Sequence, residues 1–210
     1  MSTPTEKIRG HFCKDFIARL EKLVEIENPG ALSTLRRGLG KEIPFETYRF
    51  LPFKRTGWQE DAALLVGPLF AYWYQGREKI NRVEEKTNIG TSMLDLVRIL
   101  FNDDTDPDRN KAWERALKRV ERRFSALLNC HVDDLKPHLR YVVSLLKSKE
   151  IPINWQLLCE HVQWWNHEDR WVQREWARSF WASGQGRSEN RRQSHIDETL
   201  EVTNSDNARK

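Results

Sequence analysis

Residues 109–128, RNKAWERALKRVERRFSALL, repeat their apolar side chains every three to four positions. At about 100° per residue, Trp113, Ala116, Leu117, Val120, Phe124, Leu127 and Leu128 fall on one arc of a helix. Lys111, Arg115, Lys118, Arg119, Arg122 and Arg123 fall on the opposite arc, and Glu114 and Glu121 sit together at one border. A solvated helix face usually mixes both signs, because opposite charges four residues apart add local stability. This face carries one sign. A stripe of mostly arginine, backed by a core-facing stripe, is a candidate phosphate-binding surface. The guanidinium fork matches phosphate oxygens and stacks on bases.

The same period runs through the rest of the chain, and strand signals are close to absent, so the expected fold class is all-α. Phe12, Phe16, Leu20, Leu23 and Val24 predict a first helix over Glu6–Ile26, stopped by Asn28-Pro29-Gly30, where the glycine accepts a left-handed conformation. A short helix, Gly30–Arg37, closes at Gly38-Leu39-Gly40. Phe45, Tyr48, Phe50 and Phe53 in the segment Pro44–Phe53 are suited to wedging between longer helices. Trp58–Tyr74 reads as a long apolar helix through Leu64, Leu65, Leu69, Phe70 and Trp73, kinked at Gly67-Pro68. Gln75–Asn88 reads as a loop or frayed helix, and Thr91–Phe101 as a helix capped by Thr91-Ser92.

The run Asn102–Pro107 marks the main boundary, with Asp106 as cap and Pro107 as first residue of the basic helix, which ends near Asn129. Asp133–Lys147 follows, with Leu135, Leu139, Val142, Val143 and Leu146 inward, and Asn154 caps a last helix over Trp155–Trp181. That segment holds six of the nine tryptophans, and their helical spacing favours core packing over base stacking. The expected organisation is two small helical bundles in one elongated chain, residues 1–102 and 103–182. A polar tail, residues 183–210, follows; it is too poor in apolar surface to offset ordering entropy and is read as disordered.

With 210 residues a sizeable core can form. The net charge is +4 from 35 bases and 31 acids, so positive charge has to be local to matter. Cys13, Cys130 and Cys159 are odd in number and far apart, which reads as reduced thiols rather than a disulfide framework. No secretion signal and no apolar run of about 18 residues is present, so a soluble cytoplasmic protein is expected.

Catalytic spacing is missing. Gly38-Leu39-Gly40-Lys41 lacks the earlier glycine and the Ser or Thr after lysine that a phosphate loop needs, since position 42 is Glu. His161 and His167 lie on different helix faces, and Asp103, Asp104 and Asp106 lack the spacing of a calcium loop. No cofactor, metal site or small-molecule substrate is expected, and a small helical hydrolase or metal enzyme is disfavoured. What remains is basic and dispersed: Arg36 and Arg37 before a glycine turn, Lys54 and Arg55 before Trp58, and Arg140 on the helix after the basic one.

Several short segments, taken in order, resemble a known family. They are Leu35-Arg36-Arg37-Gly38, Ile43-Pro44, Tyr48-Arg49-Phe50, Ala62-Ala63-Leu64-Leu65, and Thr91 to Leu100. Glu121-Arg122-Arg123-Phe124, Leu139-Arg140, Ile153-Asn154-Trp155 and Trp164-Trp165 continue the series. Over about residues 9–181 the chain resembles the small subunit of the type I-E CRISPR surveillance complex Cascade, the CasB family. The resemblance implies a non-enzymatic, all-helical subunit of a ribonucleoprotein, present in two copies beside the backbone and large subunits. It implies contact with the CRISPR RNA and target DNA, and support for the displaced strand of the R-loop.

Arg36 or Arg37, Arg122, Arg123 and Arg140 match basic positions of the family pattern, whereas Arg115 and Arg119 come from helical spacing alone. A protein that serves any guide sequence is expected to read backbone charge and shape rather than base edges. The alternative expectation is a structural adaptor whose basic face docks on acidic protein partners without touching nucleic acid.

Overall fold

The computed structural model describes residues 4–40, 43–50, 57–77, 79–81 and 83–181. The expectations for Phe53, Lys54, Arg55 and the tail 183–210 therefore lie outside the described residues. Within them the secondary structure is helical, without strands.

Helix α1 spans Pro4–Glu25 and α2 spans Pro29–Arg37. The turn between them differs from expectation at Gly30, which lies inside α2. The left-handed residue is Glu27, at φ 49°. Asn28 instead begins α2, its side-chain oxygen accepting from the Ala31 N–H at 3.0 Å with Pro29 directly behind it. Gly38 ends α2 in an ordinary right-handed conformation, φ −61°. Its lack of a side chain serves contact: a Cβ there would sit 2.8 Å from Cγ of Pro68 on α3.

Helix α3, Gly57–Trp73, is the hub. It is buried on almost every side and packs on α1 and α2 as well as on two later helices. Leu64 and Leu65, expected inside, are only half-buried; Ala62, Ala63 and Val66 take the inner positions because small residues let neighbouring helices approach closely. In the aromatic segment Phe50 packs half-buried against the core as expected, while two of its neighbours do not. In the 3-10 turn Phe45–Phe50, Thr47 is the buried side chain, while Phe45 is 89% and Tyr48 40% exposed.

Helix α4, Ile89–Asp103, is capped by Asn88 rather than by Thr91-Ser92, the Asn88 oxygen accepting from the Thr91 N–H at 3.1 Å. Helix α5, Arg109–Asn129, is capped by Asp108 rather than Asp106. The Asp108 carboxylate accepts from the N–H groups of Asn110 and Lys111, and Asp106 in turn accepts from the Asp108 N–H at 2.8 Å. The inner side chains Ala116, Val120, Phe124, Leu127 and Leu128 are buried as expected, and Trp113 and Leu117 half-buried. Helix α6, Leu135–Ser148, follows a 3-10 turn at Val132–Asp134 and buries all five expected residues, from Leu135 to Leu146.

The single long helix expected over Trp155–Trp181 is two helices: α7, Trp155–Val162, and α8, residues 171–181. Between them the chain reverses through Arg170, left-handed at φ 48°. In one straight helix the eleven steps from Trp165 to Trp176 would span about 16 Å. The reversal instead brings their rings to 5.2 Å and lets the Trp176 indole donate to Nδ1 of buried His161 at 2.7 Å. Gln173 donates to the Trp165 carbonyl at 2.7 Å, taking up an acceptor freed by the break, and Arg170 donates to the Leu128 carbonyl in the last turn of α5 at 2.5 Å.

Across the 102/103 boundary, α4 packs on α5, and α7 packs on α1 and α3. Helix α8 reaches α5 through Phe180, 4.7 Å from Phe124, and touches α4 at Gly90, where a Cβ would collide with the Trp176 carbonyl oxygen. One contiguous apolar core runs from Phe12 to Phe180. Cys13 and Cys159 are buried in it and Cys130 half-buried, all three as free thiols.

Candidate nucleic-acid interface

The outer face of α5 exposes Lys111, Arg115, Lys118, Arg119, Arg122 and Arg123. Its two halves differ in electrostatics. At the N-terminal end the loop before the helix folds its acids onto the bases. The Arg115 guanidinium spans Asp104 and Asp106, each at 2.9 Å, and Lys111 lies 3.4 Å from Asp108. The Asp106 N–H and Arg115 hold the Asp104 carboxyl below the usual range, and the Lys111 N–H does the same for Asp108. Hydrogen bonds to Asp104 and Asp106 raise the Arg115 pKa further. Arg109 is turned back under the loop, donating to the Phe101 carbonyl at 2.9 Å and lying 4.0 Å over the Phe101 ring. Positive charge at this end is largely matched.

The C-terminal half is not. Among the described residues no carboxylate pairs with Lys118, Arg119, Arg122 or Arg123. Glu121, the nearest acid on the helix, accepts from the Trp181 indole N–H at 2.9 Å, which turns its charge toward α8. The Arg123 guanidinium carbon lies over the ring of Tyr141 on α6, 4.1 Å from its centre. Arg122, Arg123 and Ala126 from α5 face Pro137, His138 and Tyr141 from α6 across an open groove of about 380 Å³.

A second basic set lies along the other edge of α6. Lys136 donates to the Gly40 carbonyl at 2.9 Å, Arg140 to the Leu39 carbonyl at 3.4 Å, and Lys147 to the Tyr72 carbonyl. These acceptors follow α2 or end α3, where cations are favoured by the helix dipole. Burial, then Arg77 and Arg36, lowers the Lys147 pKa; burial, then Arg140, lowers that of Lys136. Arg36 is half-buried in this set, and Arg37, exposed, donates to Thr34 Oγ1 at 3.2 Å.

The fold therefore brings Arg122 and Arg123 to the α5–α6 groove, with Arg119 exposed on the same helix, and sets Arg140 against the turn after α2, the helix that carries Arg36 and Arg37. Arg115 stands apart in its carboxylate clasp. Tyr141 and His138 carried no signal in the sequence beyond falling off the inner stripe of their helix. Lys136 lay unremarked for the same reason: its acceptor comes from residue 40, and no local period announces it.

Residues 31–181, from within α2 to the end of α8, match the family described as CRISPR-associated protein Cse2. The chain belongs to the Cse2 family. Among solved structures, CasB of M. ruber is 25% identical, with a TM-score of 0.64 over 85% of this Cse2-family chain and 97% of its own. A chain of a structure described as a CRISPR RNA-guided surveillance complex shares the fold at 22% identity and TM-score 0.61, covering 86% of this chain and 98% of that one. CasB from Thermobifida fusca shares it at 20% identity and TM-score 0.60, covering 81% and 96%. No curated protein sequence matches the chain.

Proposed function

We propose that this Cse2-family chain is a non-catalytic subunit of a CRISPR RNA-guided surveillance complex. It stabilises the guide RNA–target DNA hybrid and the displaced strand through sequence-independent phosphate contacts. The observation that carries the reading is the C-terminal half of α5, where Lys118, Arg119, Arg122 and Arg123 are exposed and unmatched by acid among the described residues. Likeness of fold to a chain of a surveillance complex supports it. Partners in this reading are the CRISPR RNA, target DNA, the backbone and large subunits, and a second copy of the chain. Arg119, Arg122 and Arg123 carry the contact. Arg36, Arg37 and Arg140 extend it along α6, and Arg115 contributes once a phosphate displaces its carboxylates.

Reversing charge at Arg119, Arg122 and Arg123 together is expected to weaken target-DNA binding by the assembled complex at least tenfold. The log–log salt slope should become shallower by about two, since each phosphate no longer neutralised on a single strand accounts for about 0.7. These side chains are exposed, so circular dichroism should match the parent. Unchanged affinity and slope would sink the reading. Loss of subunit incorporation with DNA binding otherwise intact would favour an adaptor that docks its basic face on acidic proteins.

A further inference from the structure

The geometry points to the α5–α6 groove as a seat for one unpaired nucleobase and its adjoining phosphate, stacked on the Arg123–Tyr141 pair. This rests on the phosphate-contact reading and specifies what that surface holds. Four observations carry it. First, Tyr141 is 39% exposed on a helix whose other large apolar residues are buried or half-buried, so its ring is held at the surface rather than used in the core. Second, the Arg123 guanidinium lies 4.1 Å over that ring. Guanidinium planes and phenol rings are both surfaces on which bases stack. Third, the groove has an apolar lining, Ala126 and Pro137, which a phosphate alone would not need. At about 380 Å³ it falls at the low end of the ~300–1,000 Å³ of small-ligand clefts. Fourth, among the described residues no carboxylate lines it, and Arg122 lies beside Arg123 within reach of the phosphate that a seated base brings along.

A duplex offers only the edges of its paired bases, so the occupant is a single-stranded or flipped nucleotide. Stacking uses the face that every base has, so the seat is indifferent to sequence. That suits a surface otherwise limited to backbone charge.

The test compares strands that differ only in their bases. Full-length protein is titrated with a labelled mixed-sequence deoxyoligonucleotide and with an abasic strand of equal length and equal phosphate number, at low salt, by fluorescence anisotropy. The base-bearing strand is expected to bind on the order of tenfold tighter. Tyr141→Ala should bring that ratio close to one, and Arg123→Lys, which keeps the charge but loses the plane, should lower it as well. Tyr141→Phe should preserve it, which separates stacking from the phenol hydroxyl and from any folding defect. Equal affinity for the two strands, or a ratio that survives Tyr141→Ala, would overturn the seat. Failure of the underlying reading looks different: the Arg119/Arg122/Arg123 charge reversal would then leave the abasic strand bound as before. Repeating the pair in ribose strands assigns the source, the sugar series with the larger ratio being the one the groove accepts.

Discussion

Trp176 donates its indole N–H to Nδ1 of His161, a histidine 3% exposed and ringed by Trp171 and Trp176. Nδ1 must stay unprotonated to accept, and burial lowers the pKa of the imidazole from 6.5 to about 4. The sign follows directly. Below pH 6.5 the unfolded histidine binds a proton that the folded one refuses until about pH 4. Stability present at neutral pH is therefore lost as pH falls through that window. Between pH 6.5 and 5 the loss should be about 1.5 kcal/mol, read from urea unfolding midpoints. His161→Gln keeps an acceptor but cannot titrate, so its loss over the same interval should be smaller by that amount; equal losses would refute the assignment. Asn88 is a second residue with two tasks. Its oxygen caps α4 while its amide donates to Ser179 at 2.8 Å on α8. Asn88→Ala removes both, and an unfolding free energy lower by about 2–3 kcal/mol is expected.

Helices whose partners cover one face were legible in the sequence, and those whose course depends on distant partners were not. The inner stripe of α6 was readable residue for residue, and so was the exposed basic arc of α5, because a single period sets both. The break between α7 and α8 was not. Its segment keeps helical spacing on both sides, and only the meeting of Trp165 with Trp176 and of Trp176 with His161 explains the reversal. The candidate site divides in the same way. Arg122 and Arg123 could be named from their own helix, whereas Tyr141 and His138 join them through the packing of α6 on α5. Arg115 shows the limit of a spacing argument: its place on the arc was right, yet Asp104 and Asp106 reach it from a loop the period does not describe.

The helices on either side of residue 102 share a core, since α4 docks on α5 while α7 returns to α1 and α3. They are expected to melt together. Helical ellipticity and tryptophan emission, which samples both sides through Trp73 and Trp176, should give coincident unfolding midpoints. Two separated transitions would mean that the shared core contributes little. The pairing of α1 with α7 also sets a clock during synthesis. Gln163 donates its amide to the Cys13 sulfur across 150 positions of chain. At about 5–20 residues per second, the ribosome takes roughly 8–30 s to deliver the far partner after the near one. For that interval Phe12, Phe16 and Leu20 lack part of their final cover, and the nascent chain is at its stickiest before its last third has emerged.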